Sequence, residues 1–299
     1  MNLTIAAAQY PITKHADFTA WRMHTEQWVS EAARQEAQLL LFPEYGSMEL
    51  VSLFSEEIRL NIRQQVREMD ALHTDFCSVF EELAKKYKVI LIAPSFPVFL
   101  KNDLHNRAYV FSPKGLAGYQ DKFFMTRFEN EEWGISSAPK QLTLFEADWG
   151  SFGIQICYDV EFAIGSQLLA SAGASMILAP SCTETLRGAT RVHVGARARA
   201  LENQCYTVVS QTVGDALWSP AVDINYGFAG IYATPDRFLP EEGIIATQTP
   251  QAENWLIHSL DFSLIEAVRA EGSVFNFKDH QLIYAGLSNE NVVVKRVRV

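Results

Sequence analysis

Apolar positions along this chain recur every second residue in some stretches and every third or fourth in others, which predicts a succession of strands and helices. Residues 1–9 form a short apolar run that Gln9, Tyr10 and Pro11 end, and they predict a first strand. Phe18, Trp21, Thr25, Trp28 and Ala32 stand at helical spacing and predict a helix over about residues 17–35. Residues 37–42 return to strand. That strand closes in Pro43-Glu44-Tyr45-Gly46, a turn-forming sequence that leaves a carboxylate at the strand's carboxyl end, where open α/β sheets bind ligands.

Residues 55–87, rich in Glu, Arg, Gln and Leu, predict one or two surface helices, and residues 88–93 another strand. Residues 105–112 and 117–123 flank Pro113-Lys114-Gly115 as a hairpin whose second arm ends in Asp121-Lys122. A second hairpin joins 142–147 to 152–156 through Asp148-Trp149-Gly150-Ser151 and leads into Cys157. A helix over 161–172, a strand over 175–179, a helix over about 188–203 and a strand over 205–211 follow. Later strands are expected at 227–233, 243–247 and 254–260, with a short helix at 263–270.

Tight turns between several strands argue against a purely parallel sheet, so mixed sheets covered by helices are expected. No repeat, low-complexity tract or Pro/Gly/Ser-rich linker interrupts the chain, and one domain over 1–299 is the expected count. The extension over about 266–299 ends in an alternating apolar run, Val292 to Val299, which reads as an edge strand or an arm suited to burial against a second subunit.

With 48% hydrophobic residues the chain can bury a large core. A formal net charge of −10 leaves no basic excess to neutralise phosphates, which argues against nucleic-acid or membrane partners and for small-molecule chemistry. No apolar run approaches the length of a membrane span, and the start lacks a signal peptide's basic residues, so a soluble cytoplasmic protein is expected. Cys77, Cys157, Cys182 and Cys205 show no Cys-x-x-Cys spacing, which fits a reducing compartment and argues against structural zinc.

Cys157 carries the most chemical information. It ends a strand and precedes an apolar helical pattern, a setting in which a sharp turn can expose a nucleophile beside backbone N–H donors. A lone strand-end cysteine is more often a small buried hydrophobe. Glu44 and Lys122 stand at two other strand ends. A carboxylate of raised pKa can take the thiol's proton, and an ammonium can stabilise thiolate and oxyanion, so the three together would make a self-consistent acyl-transfer site. Each also has an ordinary explanation, Glu44 as a helix cap and Lys122 as a solvated hairpin residue, and spacing alone does not unite them.

Ala6-Ala7-Ala8-Gln9, Leu41-Phe42-Pro43-Glu44, Tyr119-Gln120-Asp121-Lys122 and Cys157-Tyr158-Asp159 follow one another along the chain, with residues 173–181 and 196–204 beyond them. In that order they resemble the nitrilase superfamily of carbon-nitrogen hydrolases, over about residues 3–260. The resemblance implies an α/β fold, a four-layer αββα sandwich with two mixed β-sheets, that pairs into a homodimer or a higher homo-oligomer. It implies Glu44 as general base, Cys157 as nucleophile, and Lys122 as oxyanion stabiliser together with the backbone N–H of Tyr158. It further implies a second glutamate, assigned to Glu129 because Trp133 follows four places on, with Glu132 as the alternative. The implied substrate is a small amide or N-carbamoyl compound, cleaved with no metal and no organic cofactor.

Residues 46–54, 124–138 and 181–190 are the expected pocket walls, with Ser181, Cys182 and Arg187 as substrate-binding candidates. Tyr158-Asp159 after the cysteine is similar to the amidase and carbamoylase side of the superfamily, whereas true nitrilases usually carry Trp-Glu there. Glu161-Phe162-Ala163 departs from a frequent Arg-Phe-Pro continuation, so a negative side chain replaces a positive one, and Arg187, Arg191 or His193 would have to supply any cation. Two other classes stay open: a nitrile hydrolase or acyl-transferring relative, and a noncatalytic ligand-binding protein on the same fold. Cys-His-Asn catalysis through His193 or His105 has no local support.

Overall fold

The computed structural model describes residues 1–101, 103–280 and 295–297, and its layers follow from one strand. In β1 (Asn2–Pro11), Ala6, Ala8 and Tyr10 belong to one core and Leu3, Ile5 and Ala7 to another, because successive side chains of a strand alternate faces. α1 (Phe18–Arg34) covers the first core. Asp17 caps it by accepting from the Ala20 N–H at 2.8 Å, and Trp21, Thr25, Trp28, Val29 and Ala32 form its buried stripe.

β2 (Leu39–Leu41), β3 (Ile90–Ile92), β4 (Phe96–Leu100), β5 (Asp103–Ser112) and β6 (Gly115–Asp121) extend the sheet from one edge of β1. The chain between β2 and β3 forms α2 (Glu56–Arg59), α3 (Ile62–Glu68) and α4 (His73–Tyr87), whose Phe76, Phe80 and Leu83 join α1 in the first core. A second run comprises β7 (Phe145–Ala147), β8 (Gly150–Ile154), β9 (Met176–Ser181) and β10 (Tyr206–Asp215). β11 (Ile224–Asn225) and β12 (Gly230–Tyr232) pair with β10, β13 (Ile244–Thr247) pairs with β12, and β14 (Asn254–Asp261) returns to lie antiparallel along β1. α5 (Ala163–Ser171) and α6 (Leu186–Asn203) cover this second run, and α7 (Phe262–Glu271) buries Phe262, Ile265 and Val268 in the same core.

The two runs join where Gln9, Tyr10 and Pro11 pair in parallel with Gln211, Thr212 and Val213. One curled sheet thereby folds onto itself. Leu3, Ile5 and Ala7 from the first run and Met176, Leu178 and Val208 from the second share a core between the faces, with helices outside both. This is the expected αββα sandwich.

Strand direction then sets where chemistry can occur. β1, β2, β8, β9 and β10 run parallel, and β6 runs with them because it is antiparallel to β5, itself antiparallel to β3, which parallels β2. The carboxyl ends of β2, β6, β8 and β9 therefore open on one rim.

Three local features differ from the sequence expectation. β4 is an added strand at the end of the sheet path, and Pro97 within it pairs with Asn106, as edge strands tolerate. Residues 55–87 break into three helices and a 3-10 turn. The helix expected over 161–172 begins only at Ala163, after a 3-10 turn over Cys157–Glu161. The alternating run from Val292 to Val299 lies outside the described residues except for 295–297. Among the described residues, no helix is long and apolar enough to cross a membrane.

Candidate active site

Glu44 follows β2, and the chain turns at once through Tyr45 at φ +54°; Cys157 follows β8 and itself stands at φ +48°. Side chains other than glycine rarely occupy this left-handed region, which costs about 1–3 kcal/mol and recurs where a site needs a sharply presented group. Cys157 opens the 3-10 turn, whose first internal bond runs from Asp159 N–H to Ile156 C=O at 3.0 Å. The Tyr158 N–H precedes that bond and has no acceptor within the turn. Asp159 in turn accepts from the N–H groups of Phe123 (3.0 Å) and Phe124 (2.8 Å), which locks the Cys157 turn to the segment leaving β6. Burial lifts the Asp159 carboxyl to about 7, against the opposing pull of Lys122 and these N–H groups.

Lys122, which follows β6, is buried between two carboxylates. Its Nζ donates to Glu44 Oε1 at 2.7 Å and to Glu129 Oε2 at 2.6 Å. Asn106 on β5 donates to Glu44 Oε1 at 2.9 Å and reaches Glu129 Oε1 at 3.4 Å. Glu129 also accepts from Tyr45 Oη–H at 2.7 Å and from both the N–H and the hydroxyl of Thr126 at 2.9 Å. Glu44 Oε2 accepts from the Cys182 N–H at 3.0 Å. The Cys157 thiol donates to the Cys182 carbonyl at 3.7 Å, and the Glu44 carboxylate lies near enough to influence its ionisation.

The two buried carboxylates are inequivalent. Burial lifts the Glu44 pKa above the ordinary carboxylate value despite Lys122 beside it. Burial acts the same way on Glu129, but Lys122, Thr126 and Tyr45 outweigh it and hold the group below that value. Burial, with the negative Glu44 adjacent, pushes the Cys157 thiol well above its usual range. For Lys122, burial favours the neutral form, yet Glu129 and Glu44 outweigh it and keep the ammonium charged. A resting thiol, a charged lysine, an ionised Glu129 and a Glu44 of raised basicity are thus packed into one cluster.

The cluster forms the floor of a cavity of about 260 Å³, smaller than the ~300–1,000 Å³ of drug-sized ligand sites. Glu44, Lys122, Glu129, Cys157, Tyr158, Cys182 and Arg187 all line it. Glu132 and Ser181 do not. The Glu132 side chain is exposed, and the buried Ser181 hydroxyl bonds back to the Ala179 carbonyl at 3.1 Å. Of the expected walls, 124–138 and 181–190 contribute, whereas 46–54 do not, because Met48, Leu50 and Val51 point into the first core. Ala221, Val222 and Ile224 supply the third wall instead.

Arg191 lines the cavity in an ion pair with Glu161 at 3.2 Å. Neither histidine of the competing reading reaches the cavity: His193 is held by Tyr232, Gln211 and the Phe228 carbonyl, and His105 bonds the Ser136 carbonyl. Tyr45 and Asn106 are the contacts that sequence reasoning missed. An asparagine in the middle of a buried strand, where a polar side chain needs a partner, was the available signal for Asn106.

A sequence model of the carbon-nitrogen hydrolase family matches residues 4–270. The chain is 34% identical over 277 residues to a probable hydrolase, YhcX, of Bacillus subtilis, covering 93% of this chain and 53% of that protein. It is 26% identical over 260 residues to the chloroplastic omega-amidase of Arabidopsis thaliana, covering 82% of this chain and 64% of that one. The chain thus spans 53% and 64% of the lengths of these two relatives. The crystal structure of Saccharomyces cerevisiae Nit3, a member of branch 10 of the nitrilase superfamily, superposes with a TM-score of 0.72 at 23% identity, over 90% of this chain and 93% of that one. With motifs, layers and family match in agreement over the same residues, the chain belongs to the carbon-nitrogen hydrolase family, and its fold is that of the Nit3 structure.

Proposed function

We propose that the protein hydrolyses the C–N bond of a small amide or N-carbamoyl compound through a thioester on Cys157. The observation that carries this reading is the buried Glu44–Lys122–Glu129 cluster beside a thiol at the floor of a small cavity. Removing such charges from water costs several kcal/mol per ion, a poor use of buried side chains in a protein that only binds a ligand. The relative named omega-amidase and the Tyr158-Asp159 pair favour amides over nitriles.

In the proposed cycle, Cys157 passes its proton to Glu44 as the sulfur attacks the carbonyl carbon, so a thiolate never accumulates beside two carboxylates. The C–S bond forms and the carbonyl oxygen becomes an oxyanion, stabilised by the Lys122 ammonium and the Tyr158 N–H. Glu44 then protonates the leaving nitrogen, the C–N bond breaks, and ammonia or an amine departs. A water deprotonated by Glu44 attacks the thioester, the C–S bond breaks, the acid is released and the thiol regains its proton. Glu129 holds Lys122 in place, with Tyr45 and Thr126 as its supports. Ile164, Leu168, Val194 and Leu201, exposed on α5 and α6, offer an apolar face for a second subunit of a homodimer.

The test is ammonia or amine release from ω-amides, aliphatic amides, N-carbamoyl amino acids and nitriles, with Cys157→Ala as control. Release from an amide or carbamoyl compound that vanishes in the variant is the expected result. Release that persists in the variant, or turnover of nitriles alone, would overturn the proposal.

A further inference from the structure

We propose that His15, His24 and Glu49 form a binding site for one divalent metal ion of the zinc class, separate from the cavity. The three residues come from different elements: the loop leaving β1, helix α1, and the 3-10 helix Gly46–Leu53. One potential ligand atom from each lies within 4.8 Å of the other two. None of the three lines the cavity.

The three groups are close enough for modest side-chain adjustment to bring them onto one ion. His15 is 7% exposed and Glu49 1%, and the Nε2 atoms of both His15 and His24 are buried without a hydrogen-bond partner. Buried polar atoms almost always have partners, so two orphaned imidazole nitrogens facing one carboxylate need an explanation. His15 Nε2 lies 3.3 Å from Glu49 Oε2, yet the pair does not form a hydrogen bond. Two ligands bound at ~2.0–2.1 Å to a tetrahedral zinc stand about 3.3 Å apart, which matches that separation.

The surroundings orient the ligands as outer-shell partners do. Tyr10 Oη–H donates to Glu49 Oε1 at 2.6 Å, while Oε2 accepts the Thr13 N–H at 3.4 Å and lies 3.3 Å from His15 Nε2. The His15 N–H donates to Ser52 Oγ at 3.0 Å and fixes the loop against the 3-10 helix. Two imidazoles with one carboxylate suit zinc and its transition-metal neighbours and not magnesium or calcium, which take oxygen ligands. A bound ion would tie the exit of β1 and helix α1 to the helix that starts two residues after Glu44. Its role is structural, and the proposal stands independently of the reaction assigned to the cavity.

The experiment is titration of chelator-treated full-length protein with Co²⁺, followed by visible absorption and by thermal unfolding. One ion per chain, ligand-field absorption and a rise in Tm are expected, with Zn²⁺ displacing Co²⁺. His24→Gln, at a half-buried helix position where a folded variant is expected by circular dichroism, should abolish the absorption. Tyr10→Phe removes only the outer partner and should weaken affinity roughly 10–100-fold while keeping one ion per chain. Folded native protein that binds neither metal overturns the proposal, leaving a His15–Glu49 ion pair as the account of the cluster. Binding that is equal in the native protein and both variants also overturns it.

Discussion

Lys122→Met removes the cation that stands 2.7 Å from Glu44 and 2.6 Å from Glu129, and it leaves two buried carboxylates joined through Asn106. Removing one partner from a buried charged cluster costs about 3–5 kcal/mol. With an unfolding entropy of ~2.1 cal/mol/K per residue over a chain of this length, that loss lowers Tm by about 5–8 °C. The loss also carries a pH signature. Lys122 helps hold Glu129 below the ordinary carboxylate range; without it, one of the two carboxyls must take up a proton. That carboxyl then has a folded pKa above its unfolded value of about 4.3. A raised carboxyl pKa removes stability as pH climbs from the unfolded value through the folded one. The Tm difference between native and variant protein is therefore smallest near about pH 4.5 and widens toward about pH 8. Thermal unfolding of both proteins across that range, followed by circular dichroism, measures it. A difference that is flat with pH, or a variant as stable as the native protein, would show that the ammonium does not compensate the two carboxylates.

Two other substitutions test how the scaffold supports the site. Gly195 lies on α6 where a Cβ would come within 2.9 Å of the Val160 carbonyl oxygen, backbone belonging to the Cys157–Glu161 turn. Gly195→Ala should cost about 1–3 kcal/mol and lower kcat by displacing the turn that carries Cys157, and equal kcat at unchanged Tm would refute the contact. Burial lowers the His193 pKa from the usual 6.5 to about 4, with Tyr232 Oη 2.6 Å from its Nδ1. For a base with a depressed folded pKa, stability is full above the unfolded value and falls as pH drops through the window from 6.5 to about 4, by roughly 3 kcal/mol. His193→Gln should flatten that slope in urea unfolding measured across the same window, and an unchanged slope would assign the acid sensitivity elsewhere.

Much of the order of strands and helices was legible from one-dimensional periodicity. The first strand, the helix over 17–35, both hairpins and the strand before Cys157 have their local causes in the residues themselves, and the structure places them within a few positions of expectation. Pro97 hid β4, because a proline inside an apolar run signals a break unless the partner strand is known. The sequence assigned Glu129 ahead of Glu132 on the aromatic four places on, and the coordinates add where each side chain lies. Residues three apart in a charged turn look alike in sequence, but only the first lies beside Lys122, while the second faces solvent.

By itself, then, the sequence determined the alternation of strands and helices, the placement of a carboxylate, an ammonium and a thiol at three strand ends, and the superfamily those motifs resemble. Tertiary structure alone decided that β2, β6, β8 and β9 point their carboxyl ends to one rim, so that residues as far apart as Glu44 and Cys182 share a hydrogen bond. It also decided that Tyr45 and Asn106 complete the cluster and that His15, His24 and Glu49 converge. The reason is range: propensity, turn chemistry and periodicity act over a few neighbouring residues, whereas the meeting of side chains depends on strand direction, register and the curl of a whole sheet.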